Sequence, residues 1–220
     1  MQKDLTTGNI TPQLIRFTIP LVLGNIFQLM YNAIDSIIVG RFVGSKALAA
    51  VGICNPVSTL FILFLNGLCM GASILMGNMF GAKDYEKLYR QISTTMLSGI
   101  VFSIILSVLC IGFAHPLMRL FSNDPLVCKH GVTYLKLISL MYLFLAVTNG
   151  VQGYFRGIGD LKITLISSFV NMSVRVIFAA ILVLGFSLQI EALPFSYLAG
   201  WIGMLLTELP LLIRSLTHTK

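Results

Sequence analysis

Apolar positions along this 220-residue chain gather into six long blocks: about Pro12 to Val39, Ala47 to Phe80, Ile92 to Ala114, Gly131 to Tyr154, Ile163 to Leu184 and Leu193 to Ile213. Each matches or exceeds the ~20 residues a helix needs to cross ~30 Å of hydrocarbon. None shows the ~10-residue in-and-out alternation of an outer-membrane barrel strand. The pattern therefore predicts an all-α fold, a polytopic membrane bundle of six transmembrane helices, with residues 1–220 forming a single lobe. The first block is too long for the apolar core of a signal peptide and is expected to be retained.

Between the blocks, two turns share one design. "FGAKDYEK" (Phe80 to Lys87) and "RGIGDLK" (Arg156 to Lys162) each place a glycine, an aspartate and a lysine in that order. Gly81 and Gly159 are expected to end a helix in the left-handed conformation, and Asp84 and Asp160 to cap the next helix. Glycine pairs four residues apart, Gly40 with Gly44, Gly67 with Gly71, Gly77 with Gly81 and Gly153 with Gly157, are expected to let helices approach closely. Pro20 and Pro56 fall inside spans 1 and 2, where the missing backbone donor is expected to kink the helix.

Composition agrees with the pattern and removes other classes. Hydrophobic residues make up 56% of the chain and charged residues 10%, with a mean hydropathy of +0.90, far from a soluble mixture. The net charge of +7 follows from topology. With both termini on the cytoplasmic side, the inner loops and tails carry nine basic residues and the outer loops five, the bias expected across a membrane. Contact with anionic lipid headgroups explains the remaining excess, and no basic stripe suggests a nucleic-acid partner. Cys54, Cys69, Cys110 and Cys128 are isolated, so neither a metal site nor a disulfide framework is expected. No nucleophile and base pair appears at workable spacing, so the chain does not read as an enzyme.

One feature resists a purely structural account. Asn25, Gln28, Asn32 and Asp35 are three, four and three residues apart, which puts them on one face of span 1. Tyr31, beside Asn32, joins them as a candidate cavity-lining residue. Such a face avoids lipid, and a carboxylate at this depth is a functional candidate because simpler polar groups suffice to bind helices together. Asn55, Thr59 and Asn66 repeat the pattern in span 2, Asn149 and Gln152 in span 4, and Asn171 with Arg175 in span 5. Glu208, close to the inner end of span 6 and followed by Pro210, is expected to reach the membrane interface.

These residues and their order resemble the multidrug and toxic compound extrusion (MATE) transporters. The resemblance rests on Pro20 with Asp35 fifteen positions later, "DSIIVGRFVGSKALAAVGICNP" (Asp35 to Pro56), "MGNMFGAKD" (Met76 to Asp84) and "QGYFRGIGDLKIT" (Gln152 to Thr164) leading to Asn171. It covers the chain as the amino-terminal six-helix lobe of a two-lobe fold. It implies a bacterial cell-membrane antiporter that exports cationic amphipathic drugs or toxins in exchange for H⁺ or Na⁺, with no other cofactor. Asp35 and Asn171 are implied as the coupling site. The implied partners are the organic cation, membrane lipid and a second six-helix lobe, either a missing carboxy-terminal half or a second copy; the chain reads as a fragment or truncated product. One departure stands out: a well-studied branch carries an acid one turn after the asparagine, where this chain has Arg175. Asp35 lies six residues before Arg41 and Arg175 ten before Gly185, so their depths differ by only about 6 Å at ~1.5 Å per residue. Facing each other, they are expected to pair, Arg175 competing for Asp35. Two alternatives remain open here: a lipid-linked saccharide flippase of related fold, and an inactive truncated membrane module.

Overall fold

The computed structural model describes residues 10–185, 188 and 190–218. Among these, the chain is helical throughout: α1 (Ile10–Ile38), a π-helical turn (Val39–Val43), α2 (Ser45–Gly81), α3 (Tyr85–Phe121), α4 (Pro125–Leu140), α5 (Tyr142–Gly157), α6 (Leu161–Leu184) and α7 (Ala192–His218). Helices α2, α3, α6 and α7 are each long and apolar enough to cross a membrane, and α4 with α5, bent by 46° at their junction, meets the same test of length and composition when taken together as one broken helix. At 29 residues, α1 has the length of one more. The side chains of Pro20, Asn25, Gln28 and Tyr31, on α1, lie outside the described residues.

The helices overrun the apolar blocks where local caps permit. Predicted from Ile92 to Ala114, α3 begins at Tyr85, because Asp84 accepts a hydrogen bond from the Lys87 N–H at 3.2 Å, and it ends at Phe121, where Ser122 turns extended. Apolar content marks only the part of a helix immersed in hydrocarbon. The matching turn after α5 differs: Asp160 makes no side-chain cap bond. Left-handed backbone is taken by Gly159 (φ 79°) as expected, but in the earlier turn by Lys83 (φ 57°) instead of Gly81.

Span 4 was expected to be one helix. It starts earlier, at Pro125, where Asp124 accepts from the Leu126 and Val127 N–H groups at 2.9 and 3.4 Å, and it breaks at Met141. Neither proline nor glycine causes the break. The Ser107 hydroxyl of α3 donates to the Ser139 carbonyl at 2.5 Å, occupying an acceptor at the point where the intrahelical ladder is interrupted. A neighbouring side chain that satisfies such a carbonyl is a recognised origin of kinks.

The centre of the bundle is α5, buried along nearly its whole length from Tyr142 to Phe155. It packs on α2, α3, α6 and α7, while α1 lies against α6 and α6 against α7. The close approach of α2 and α5 rests on three glycines drawn from both helices, not on pairs along one. A β-carbon on Gly77 would stand 2.9 Å from the Gly157 carbonyl oxygen, and one on Gly153 would stand 3.2 Å from that of Cys69. Gly67, Gly71 and Gly81 have open space where a β-carbon would go, and Gly40 meets only the side chain of Leu48. Pro56 lies within α2 with its ring exposed, and the helix continues through it.

Candidate functional site

Between these helices lies a cavity of about 390 Å³. Six elements contribute to its wall, and four of the predicted stripes supply polar groups to it: Asn32 of α1, Asn55, Thr59 and Asn66 of α2, Asn149 and Gln152 of α5, and Asn171 and Arg175 of α6. The helical spacing explains the convergence, since each set repeats at whole turns and so turns one face inward.

Asp35 does not line the cavity. It sits behind Arg175, with only 3% of its surface exposed against 6% for Arg175. The Arg175 Nη2 donates to Asp35 Oδ2 in a buried ion pair, and the guanidinium carbon lies 3.3 Å from the centre of the Tyr197 ring. Packing of α1 on α6 brings the two charges level, and the α7 aromatic covers the cation. Asn171, one turn before Arg175, directs its amide to Met204, with Nδ2 at 2.7 Å from the sulfur. Gly200 of α7 leaves the room that Asn171 fills.

A second polar group lies towards the α5–α6 turn. Glu208 of α7, expected at the interface, is fully buried. The Gln152 amide donates to Glu208 Oε1 at 3.1 Å and lies 3.4 Å from the Ser167 hydroxyl, while Arg156 Nη2 donates to Gln152 Oε1 at 2.7 Å. Gln152 thus separates a buried acid from a cation. Arg156 lines the cavity and Glu208 does not. Neither was singled out from the sequence as a site residue, although Arg156 follows Gln152 by four positions and so had to share its face. Tyr197 and Trp201, seven residues and more upstream of Glu208 on α7, also line the cavity; aromatic residues in an apolar helix carry no signal that separates them from packing.

All four cysteines are free and buried. Cys54 approaches the Met118 sulfur at 3.6 Å and the Gly131 carbonyl at 3.5 Å, so it packs as a small apolar group with a weak donor.

A family model described as MatE matches residues 20–181. The chain belongs to that family. Its fold is correspondingly MATE-like: against a structure titled "Crystal structure of MATE in the bent conformation" it gives a TM-score of 0.83 at 20% identity, covering 91% of this chain and 44% of that one. Among curated relatives, it is 30% identical over 173 residues to the "Probable multidrug resistance protein YoeA" of Bacillus subtilis (strain 168), covering 77% of this chain and 36% of the relative. It is 21% identical over 183 residues to the "Multidrug export protein MepA" of Staphylococcus haemolyticus (strain JCSC1435), covering 83% of this chain and 40% of the relative. The chain thus spans well under half the length of the MATE relatives it matches and corresponds to about their amino-terminal half.

Proposed function

We propose that this chain is the amino-terminal lobe of a secondary antiporter that exports cationic amphipathic drugs or toxins across the bacterial cell membrane in exchange for H⁺ or Na⁺. One observation carries the reading: a buried carboxylate, Asp35, is held by Arg175 beside a polar cavity in a MATE lobe. An ionisable group at this depth is costly and marks a functional candidate. The names of the relatives, a multidrug resistance protein and a multidrug export protein, support export of foreign compounds.

In this reading Asp35 binds and releases the coupling cation as the cavity changes access, with Asn171, one turn before Arg175 on α6, assisting and Arg175 as the competitor that takes the carboxylate when the cation leaves. The other wall of the cavity comes from a second six-helix lobe, a carboxy-terminal half or a second copy; an even number of spans makes the two lobes parallel repeats about an axis along the membrane normal. In this reading both termini face the cytoplasm, which the bias of nine basic residues against five supports. The test is drug efflux driven by an imposed H⁺ or Na⁺ gradient in membrane vesicles carrying the lobe with its partner. Efflux that responds to neither gradient overturns the antiport reading.

A further inference from the structure

The cavity wall is charged in one sense only. Among the described residues that line it, Arg156 and Arg175 are cationic and none is a carboxylate. The two arginines differ in what they are given. Arg175 is committed to Asp35 and covered by Tyr197. Arg156 has no carboxylate within ion-pair distance among the described residues. Its described hydrogen bond goes to Gln152 at 2.7 Å, and its buried Nε has no partner. A guanidinium offers five N–H donors in a planar fork that matches carboxylate and phosphate oxygens.

A second donor on the same helix is also unanswered. The Asn149 amide nitrogen is buried, lines the cavity and has no hydrogen-bond partner. Asn149, Gln152 and Arg156 follow one another by three and four positions, so they form one stripe about 10 Å long at ~1.5 Å per residue. Buried donors left unmatched are expensive and call for an acceptor. The nearby acid does not fill this role: Glu208 is fully buried, lies outside the cavity wall, hydrogen-bonds to the stripe at Gln152 and acts on Arg156 through its charge without an ion-pair contact.

We infer that the Asn149–Arg156 stripe is a docking site for the anionic group of an amphiphile, a phosphate, sulfonate or carboxylate that Arg156 grips while Asn149 meets a further acceptor along the chain. The inference rests on the exporter reading and narrows it: the compounds carried have an acidic group beside their cation. The apolar body lies against Ile62, Leu145 and Trp201 of the same cavity. The anionic group belongs either to a solute entering from water or to a lipid headgroup entering from the bilayer.

The chain's single tryptophan, Trp201, lines this cavity and serves as the probe. The full chain is placed in nanodiscs of phosphatidylcholine, and Trp201 emission is titrated with decyl phosphate, decyl trimethylammonium and decyl maltoside. A parallel preparation contains phosphatidylglycerol and no added solute. Decyl phosphate is expected to bind about tenfold more tightly than decyl maltoside, and Arg156→Gln to abolish that preference, bringing the two affinities together. A shift in the phosphatidylglycerol discs that Arg156→Gln removes identifies the lipid as occupant; a response to decyl phosphate alone identifies the solute. If decyl trimethylammonium binds best, or if the phosphate preference survives Arg156→Gln and neither preparation responds through Arg156, the inference is wrong. Arg156→Lys, which keeps the charge, is expected to retain part of the preference, separating a binding role from loss of fold. Failure of gradient-driven efflux with this preference intact would overturn the exporter reading and leave the binding site standing.

Discussion

Replacing Gly157 by alanine forces a methyl group into the tightest backbone contact between α2 and α5. Its β-carbon would stand 2.6 Å from the Ser73 carbonyl oxygen, 3.2 Å from the Gly77 nitrogen and 3.4 Å from the Met76 β-carbon. The first two are main-chain atoms of another helix and have no rotamer to escape into. Ordinary contact begins at 3.4 Å, so α5 has to retreat by 0.8 Å at this point. Overpacking of this kind costs about 1–3 kcal/mol. Gly153→Ala meets the Cys69 carbonyl at 3.2 Å and needs 0.2 Å of relief, while Gly71→Ala meets nothing within 4 Å. The three substitutions therefore form a graded series at constant chemistry. The four buried thiols provide the assay, since a maleimide dye that fluoresces on reaction reports their exposure as the solubilised chain is heated. Gly71→Ala should leave the midpoint near wild type, Gly153→Ala lower it slightly, and Gly157→Ala lower it by several degrees, at roughly 2–4 °C per kcal/mol for a chain of this size. Because Arg156 and Gln152 ride on the displaced end of α5, Gly157→Ala should also weaken ligand binding in the cavity. Equal midpoints for Gly157→Ala and Gly71→Ala would refute the claim that the glycines set the α2–α5 distance.

Asp35→Asn should abolish gradient-coupled export while the protein still inserts, because the amide keeps the shape but neither exchanges a proton nor neutralises a cation; near wild-type efflux in vesicles would sink the coupling role. In the same thiol assay, Asp35→Asn and Arg175→Gln should each destabilise by about 3–5 kcal/mol through stranding the other charge, and the double variant by much less than their sum; additive losses would mean that the pair is not coupled. The isolated chain, shown to be monomeric in a nanodisc, should not transport, since alternating access needs two bodies rocking about a site, and drug movement by such a monomer would contradict this. Outside the membrane, the hydrogen bond from Lys46 and those from the Leu126 and Val127 N–H groups hold the Asp124 carboxyl below its ordinary range. The cap is therefore fully charged at neutral pH, and its support of α4 should disappear as pH falls through that lowered value. Hydrogen exchange in the first turn of α4, corrected for intrinsic rates, should show this loss of protection in acid, and Asp124→Ala should remove the dependence on pH.

The spans were legible because hydrocarbon thickness imposes a length, and an apolar block of that length has few other uses. The inward faces were legible too, since Asn55, Thr59 and Asn66 repeat at whole turns of a helix. The levels of Asp35 and Arg175 followed from a constant rise per residue. What lay beyond reading was anything decided between helices. The break at Met141 depends on a serine of α3 meeting a carbonyl of α4, and "SLMY" contains nothing that ends a helix. Glu208 looked able to reach water because it sits near a helix end, yet its azimuth turns it towards Gln152 and Ser167, and azimuth across a bundle is set by partners not written beside it. Arg156 reads as a turn residue for the same reason: its position in the chain is terminal, but its side chain reaches back along α5 to Gln152 in the cavity wall. The glycine pairs illustrate the difference, since spacing along one helix identified Gly153 and Gly157 but could not say that Gly157 meets Gly77 and Gly153 the Cys69 carbonyl.

The π-helical turn from Val39 to Val43 bears on how this lobe tolerates changes in length. Its closing bond runs from the Gly44 N–H to the Val39 carbonyl at 3.0 Å, one residue more than an α-turn encloses. Everything after it is set back by one position, about 100° of helical rotation, relative to a continuous α-helix. A single-residue deletion between 39 and 43 would convert the turn to α geometry and leave the Asp35 face of α1 untouched, whereas the same deletion in α2 would rotate Asn66 away from Asn55 and split the polar wall. The short segment between Asp35 and α2 is thus the place where the chain can lose a residue without losing the register of its site.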